Sequence, residues 1–489
     1  MFFNHVSLYP YLILGVFLFK KIENNNVAIY FLIIYSSIFY LINDFKFYLV
    51  LFISIFFNYF FIYLIKIHKK KIFFLLPLLI NISLILYFKY FTVIENNISS
   101  IYHVQNIYIP LGLSFFTFQQ ISFLIDFNDR KITEIKFNEY FLYIIFFPQL
   151  VAGPIVKFNQ VALYLKNLVT SKSYYHASFS FIIIGLFKKI VIADTIGQYS
   201  DILFNSLDHS ILSFFEAWSA ALLFSFQIYF DFSAYSDMAI GIALLFGVKL
   251  PENFYSPYKS RNIIEFWRRW HISLSQFIKD YLYIKLGGSK KGSLSQYFNI
   301  IFSMAICGIW HGTGANFLIW GVYHGILISI NHTLNQLKIN FNYFISWAST
   351  FILVVIGFAI FRCNSFENLV SLFKSMFLIN GISLPMSLNE KLIELDLFSY
   401  NGLFPNNLID LKNTIFFIIF IFFIIIFCPN SQGIVGKNFY SKYGNYKEDI
   451  NIKFFKTENY FFDIFLGFLL LIISIFYSSE IRNFIYFVF

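Results

Sequence analysis

Long apolar runs dominate the chain, and polar residues collect in the short stretches between them. Residues 26–42 read NVAIYFLIIYSSIFYLI, 45–65 read FKFYLVLFISIFFNYFFIYLI, 179–196 read FSFIIIGLFKKIVIADTI and 413–427 read NTIFFIIFIFFIIIF. Each approaches the roughly 20 residues that cross a hydrocarbon core as a helix. The pattern predicts an all-α polytopic membrane protein of about ten to twelve spans. Residues 1–489 read as a single integral-membrane domain without an internal repeat or a separate soluble unit. From Pro110 to about Gly325 the runs are interrupted by Gly and Pro and carry polar side chains at depth. Unwound backbone there must be buried in protein or line a watery cavity, because lipid satisfies no free N–H or C=O group. The chemistry is therefore expected in this middle region, with 1–94 and 413–489 as peripheral spans. After 363 a polar, partly Asn- and Lys-rich stretch precedes two last spans, 413–428 and 461–478, which the polar segment 437–456 separates.

Composition agrees with a membrane protein. Hydrophobic residues make up 58% of the chain, aromatic residues 23% and charged residues only 13%, against about 25% charged in a soluble domain. Residues 9–19 are apolar, but Lys20 and Lys21 follow that run instead of leading it, which predicts a retained first helix and not a signal peptide. With Lys20 inside, KIHKKK (66–71), NDRKITEIK (128–136) and the basic region 249–291 all fall on the cytoplasmic side. ENNISSIYHVQN (95–106) and GQYSDILFNSLDHS (197–210), expected outside, hold no Lys or Arg, as the positive-inside rule asks. The net charge of +10 is thus a topology signal with some attraction to anionic membrane lipid, and no nucleic-acid role is implied. Cys307, Cys363 and Cys428 lie far apart without a CxxC pair, so neither a disulfide framework nor a zinc cluster is indicated. Buried free thiols are expected; because Cys307 lies one helical turn before His311, a Cys/His nucleophile pair is the alternative.

Several motifs in the middle region carry polar groups at depth. YIPLGLSFFTFQQISFLIDF (108–127) places Gln119, Gln120 and Asp126 in an otherwise apolar span, where they must face a bundle interior or a cavity. FFPQLVAGPIVKF (146–158), broken by Pro148, Gly153 and Pro154, is too short to cross and reads as a re-entrant loop or a kinked helix end. FQIYFDFSAYSDMAIGIALLFGV (226–248) sets Asp231 and Asp237 six positions apart, off a common helical face, so a glycosidase-like carboxylate pair is not supported. Both are read as structural, partnering Arg268, Arg269 or Lys188 or holding loop backbone. In NIIEFWRRWHISLSQFIKDYLYIKLGG (262–288), Ile263, Phe266, Trp270, Leu274, Phe277 and Tyr281 recur at three- and four-residue steps. That predicts an amphipathic helix at the cytoplasmic interface, ended by Gly287 and Gly288, with Trp267 and Trp270 at headgroup level. Anchoring leaves His271 unexplained.

CGIWHGTGANFLIWGVYHG (307–325) is apolar enough to span, yet it carries His311, His324 and five glycines. Gly308, Gly312 and Gly314 crowd around His311, so backbone and substrate can approach the ring, and Trp310 adds bulk beside it. A hydrogen-bonded core histidine is the plain alternative. An intramembrane ionisable group points to function, however, and a neutral imidazole acts as a general base near physiological pH. His324 stands thirteen positions on, about 20 Å along a continuous helix. No shared metal site is expected unless the chain doubles back.

These residues resemble the membrane-bound O-acyltransferase family. GIWHG (308–312) and FWRRWHISLS (266–275) carry its two histidine signatures, and LGLSFFTFQ (111–119), FFPQLVAGPI (146–155), YFDFSAYSDMAIGIALLFG (229–247), NFYSPY (253–258) and FAIFRC (358–363) support them in order and spacing. WHGTGANFLIWGVYHG, of the form WHGxxxxFxxWGxxHG, is closer to the polysaccharide-acetylating branch than to the branch that transfers D-alanine to teichoic acid. The resemblance covers 108–363. It implies a ring of tilted transmembrane helices, with re-entrant and interfacial helices, around a central funnel. It implies His311 as the catalytic residue with His271 as its companion, and no bound cofactor or metal. The donor substrate is then acetyl-CoA or an acyl-carrier thioester from the cytoplasm. The acceptor is a hydroxyl of a cell-envelope polysaccharide, peptidoglycan or alginate-like, reached directly or through an envelope-side acetyltransferase partner at the bacterial inner membrane. Gln119, Ser273, Asn316 and Trp310 are candidates to bind substrate, an oxyanion or the imidazole. Lys259, Arg261, Arg268 and Arg269 are candidates to hold donor phosphates, with membrane anchoring as the other account. No GxSxG elbow suggests a hydrolase serine. A transporter or flippase of envelope precursors and a non-enzymatic scaffold are the other classes to be distinguished.

Overall fold

The apolar runs fold as helices, and among the described residues seven are long and apolar enough to cross a membrane, with shorter apolar helices at Leu8–Phe19 and Lys412–Phe427. The computed structural model describes residues 8–68, 70–91, 110–168, 172–383 and 410–435, with positions 403, 469 and 472. The expected outer loop 95–106, the segment 437–456 and, apart from Leu469 and Ile472, the span 461–478 lie outside the described residues.

Four helices lead: α1 (Leu8–Phe19), α2 (Asn25–Asn43), α3 (Phe45–His68) and α4 (Lys71–Leu86), the last running on into a π-helical turn, Tyr87–Phe91. After them come α5 (Leu113–Asn128), α6 (Phe137–Ile145), α7 (Phe147–Ala152) and α8 (Phe158–Lys166). A buried polar knot fixes α4 against α3 and α5. Asn81 Nδ2 donates to Asn58 Oδ1 at 2.7 Å, and Gln120 Oε1 accepts from Asn58 Nδ2 at 3.1 Å and from Ser54 Oγ at 2.8 Å. In an apolar setting such groups must find one another, so three helices are held in one register.

The proline-broken stretch 146–158 does not cross. It makes the single turn-and-a-half of α7 and an extended segment before α8, with Phe146, Phe147, Leu150, Ile155 and Val156 all buried. Tyr143 Oη donates to the Val156 carbonyl at 2.7 Å, so irregular backbone at this depth is satisfied by protein.

The axis is α11 (Phe214–Leu245), 32 residues long and buried throughout its apolar window. Small residues let neighbours approach it from several sides; a Cβ on Gly241 would stand 2.7 Å from the Ser178 carbonyl of α9 (Lys172–Phe187). From α9 the chain passes through a π-helical turn, Lys188–Ala193, into α10 (Asp194–Ser206). The expected outer loop 197–210 is therefore helical as far as Ser206. Its buried Ile196, Gly197, Ser200, Leu203 and Phe204 recur at helical steps, a pattern hidden by its polar composition.

The π-helical turn presents two lysines to α11. Lys188 Nζ lies 2.7 Å from Asp237 and donates to Ser431 Oγ at 2.6 Å, while Lys189 lies 2.9 Å from Asp231 and 2.7 Å from Asp194. Asp231 and Asp237 thus serve as structural counter-ions, with Lys188 and its neighbour as the cations. Arg269 is committed elsewhere, to Glu265 at 2.8 Å.

The stretch 262–288 corrects the expected interfacial helix. It divides into α12 (Ile263–Arg269), α13 (Ile272–Ile278) and a π-helical turn, Lys279–Tyr283. At the break His271 has φ 41°. Tyr255 N donates to the Arg269 carbonyl and Ile272 N to the Asn253 carbonyl, both at 2.9 Å, so the segment 253–256 clamps the break from alongside. Trp267 and Trp270, expected at headgroup level, are 6% and 2% exposed and pack within the protein. The helical period was real, but its apolar face meets protein instead of lipid.

Candidate active site

α14 (Ser293–His311) and α15 (Ala315–Gln336) form an antiparallel pair joined at Gly312–Gly314, so 307–325 is the turn of a hairpin and not one span. A Cβ on Gly308 would come within 2.2 Å of the Phe317 carbonyl, and one on Gly321 within 2.3 Å of the Met304 carbonyl. One on Gly312 would meet the Phe317 ring at 2.2 Å. The glycines around His311 therefore bring two backbones together, the small-residue packing of membrane helices.

His311 ends α14 and is 5% exposed. Its ring lies 4.6 Å from Trp310, 5.1 Å from Trp320 and 5.3 Å from Phe361, centroid to centroid. His324 sits across Trp320, 5.1 Å from that ring. Trp267 Nε1–H donates to its Nδ1 at 3.3 Å, and Gly357 lies so close that a Cβ there would be 2.6 Å from its Nε2. His324 is a hydrogen-bonded core residue that locks α12, α15 and α16 (Tyr343–Arg362) together. The chain does double back between the two histidines, and they flank one indole.

His271 is 1% exposed, and Asn253 sets its orientation. Asn253 Nδ2 donates to Ser236 Oγ at 3.2 Å, which leaves Oδ1 as the acceptor facing the ring. His271 Nδ1 lies 3.1 Å from that oxygen and so carries the proton. Nε2 is then the lone-pair nitrogen, buried and without a hydrogen-bond partner among the described residues. Ser273 completes the arrangement. Its N–H and Oγ donate to the same Asn253 oxygen at 3.3 and 2.9 Å, and its Oγ accepts from Ile155 N at 2.9 Å, which ties in the stretch 146–158. His271 and Lys89 both lie within electrostatic reach of His311.

Other expected site residues divide. Gln119 is fully buried, and neither end of its amide has a partner among the described residues, whereas Gln120 belongs to the knot on α3 and α4. Beside Gln119, Phe118 stacks between Phe277 at 4.3 Å and Trp310 at 5.1 Å, and the Trp310 Nε1–H is also unpaired. Asn316 Nδ2 donates to the Phe361 carbonyl at 2.8 Å and so braces α15 against α16.

A cavity of about 610 Å³ opens among the residues that the basic region supplies, and Glu252, Arg268, Lys279, Ser289 and His332 line it with others. It runs along α14 past Gln296, Ile300, Ser303, Met304 and Cys307, one helical face, about 16 Å at 1.5 Å per residue. Ser273 and Cys307, two residues beyond one histidine and one turn before the other, lie in its wall; neither histidine does. A second cavity of about 870 Å³ holds Lys259, Arg261, Arg268 and Arg269. Arg268 is exposed and borders both, whereas Arg269 also bonds the Tyr255 carbonyl.

Three residues at this site were missed in the sequence. Asn253, 0% exposed, opens the quoted NFYSPY motif, but nothing in a lone loop asparagine signals its burial. Lys89 and Tyr90 stand at the end of α4, where a lone lysine closing an apolar run was the signal.

A helical membrane fold with two buried histidines, each close in sequence to a residue of the cavity wall, suits transfer of a group from a donor held in that cavity. The family model described as "MBOAT, membrane-bound O-acyltransferase family" matches residues 32–370. The chain belongs to the membrane-bound O-acyltransferase family and is an acyltransferase. It is 38% identical over 395 residues to the peptidoglycan O-acetyltransferase of Helicobacter pylori, 72% of this chain and 74% of that protein. It is also 38% identical over 278 residues, 56% of this chain, to the "Probable alginate O-acetylase AlgI" of Pseudomonas fluorescens, of whose length the match spans 55%. The teichoic acid D-alanyltransferase of Streptococcus thermophilus is 28% identical over 233 residues, 45% of this chain and 56% of that one.

Proposed function

We propose that this chain moves an acetyl group from a cytoplasmic thioester, acetyl-CoA or an acyl carrier, toward hydroxyls of a bacterial cell-envelope polysaccharide, with peptidoglycan favoured over an alginate-like acceptor. The observation that carries the reading is the cavity along α14, whose wall contains Ser273 and Cys307, neighbours in sequence of His271 and His311. The likeness over 72% of the chain to a peptidoglycan O-acetyltransferase supports the acceptor. The acetyl unit lies deep along α14, and the polar end of the donor lies at the mouth by Lys279 and Arg268, the arginine free of the Glu265 pair.

In this mechanism His311 accepts the hydroxyl proton as the oxygen attacks the thioester carbonyl. The C–O bond forms, the C–S bond breaks, and the proton passes to the departing sulfur. General-base assistance of this kind contributes typically about 10²–10⁴-fold. The Gln119 amide and the Trp310 N–H, both buried with unused donors among the described residues, are the proposed donors to the oxyanion. His271, held as the Nδ1–H tautomer by Asn253, offers a second lone pair for the proton's path. The setting is the inner membrane, with an envelope-side acetyltransferase partner passing the group to the glycan.

The test uses the full chain in proteoliposomes with radiolabelled acetyl-CoA and a glycan or partner acceptor. His311→Ala should lower transfer by at least about a hundredfold; transfer at the wild-type rate overturns the catalytic assignment.

A further inference from the structure

The end of the helix that carries His311 is closed in an unusual way. The last four carbonyls of any α-helix lack intrahelical partners, and in α14 they sit in apolar surroundings where that is costly. Gly312 leaves the helix directly into extended backbone, φ −172° and ψ 177°, so no left-handed turn folds back to satisfy them. Side chains from a distant element take that role. Lys89 Nζ donates to the Trp310 carbonyl at 2.5 Å and reaches the His311 carbonyl at 3.4 Å. Tyr90 Oη donates to the Ile309 carbonyl at 2.5 Å and to that of Gly312 at 3.2 Å. The Lys89 ammonium also lies 5.2 Å from the centre of the Trp310 ring.

Three features make this a built device. The π-helical turn Tyr87–Phe91 widens the end of α4, so that consecutive side chains at 89 and 90 reach neighbouring carbonyls of one helix. A cation at a helix C-terminus also opposes the negative end of the dipole, and it does so more strongly where water is scarce. The polar knot at Asn58, Asn81 and Gln120 holds α4 in the register that brings this turn to α14.

We propose that Lys89, with Tyr90, is a positioning residue for the transfer: it clamps the C-terminus of α14 and so fixes where the His311 ring stands. The proposal rests on the reading of His311 as the general base. Lys89 touches backbone carbonyls of the catalytic helix, and its action on the reaction passes through the histidine's placement.

The experiment measures kcat and the donor KM for Lys89→Met, Lys89→Arg and Tyr90→Phe in proteoliposomes of the full chain, beside His311→Ala. Displacing a reacting group by about 1 Å costs up to a hundredfold, so Lys89→Met should lower kcat about ten- to a hundredfold with KM within about twofold. Lys89→Arg, which keeps charge and donors, should recover most of that loss. Wild-type kcat in Lys89→Met, a loss confined to KM, or an arginine variant as slow as the methionine one overturns the clamp. If Lys89→Met does not accumulate in membranes, Tyr90→Phe decides, since it deletes one hydroxyl: a several-fold fall in kcat supports the clamp and an unchanged kcat refutes it. Full transfer by His311→Ala defeats the general-base reading itself, whereas an inactive His311→Ala beside a fully active Lys89→Met defeats only the clamp.

Discussion

Asn253 shows how much of the site depends on one amide. Its oxygen accepts from the His271 ring and twice from Ser273, and its nitrogen donates to Ser236, so one side chain sets a tautomer and joins α11 to α13. Replacing it with alanine leaves buried donors unpaired, at a cost of about 1–3 kcal/mol. Asn253→Ala should therefore lower the thermal midpoint in detergent and also reduce kcat, because the imidazole is free to take the other tautomer. A stability loss with unchanged kcat would confine Asn253 to a structural role. His311 and His271 were legible as residues because an imidazole in an apolar run has few uses. Asn253 was not, since its partners lie on other elements and a lone asparagine in a loop carries no period. His324 was legible only as a histidine; the indole N–H of Trp267 that makes it a core residue comes from 57 positions away.

At the level of elements, what sequence periodicity supplies is the face of a helix, and what it omits is the identity of the facing surface. The apolar steps through 262–288 predicted one helix on lipid, yet the chain breaks at His271 and buries both tryptophans, because loop 253–256 offers backbone partners there. The apolar stretch 307–325 similarly hid a hairpin, since Gly312–Gly314 turns the chain while the glycines on either side close-pack the two arms. The face of α14 from Gln296 to Cys307 is the one that lines the cavity, and it supplies a prediction at this scale. In a chain with Cys363→Ser and Cys428→Ser, a small methanethiosulfonate should modify Cys307, and transfer should stop. Acetyl-CoA added first should slow the modification, because donor and reagent share the passage. Complete modification with transfer at the unmodified rate would place the donor somewhere other than along α14.

Across the whole molecule, orientation joins the sequence and the fold. The all-helical class, the first spans and the apolar helix Leu411–Phe427 were readable from apolar length alone, and where the lysines fall predicts the orientation. The arrangement of the middle helices was not, because charges such as Lys188, Lys189, Asp231 and Asp237 are paired between elements and look, one by one, like interruptions of a span. The positive-inside rule predicts Lys290 in the cytoplasm, and α14, 19 residues or about 28 Å long, would then carry the chain across to the exposed Thr313. A crossing of similar length, 21 residues, takes α4 and its π-helical turn from Lys71 to Phe91, which is why Lys89 arrives at the level of His311 and not at that of the cavity mouth. In whole cells, a membrane-impermeant maleimide should therefore label Thr313→Cys and spare Lys290→Cys, and inverted vesicles should give the opposite result. The reverse pattern would place the cavity mouth outside, away from any cytoplasmic thioester. It would undo the donor assignment even with every distance around His311 unchanged.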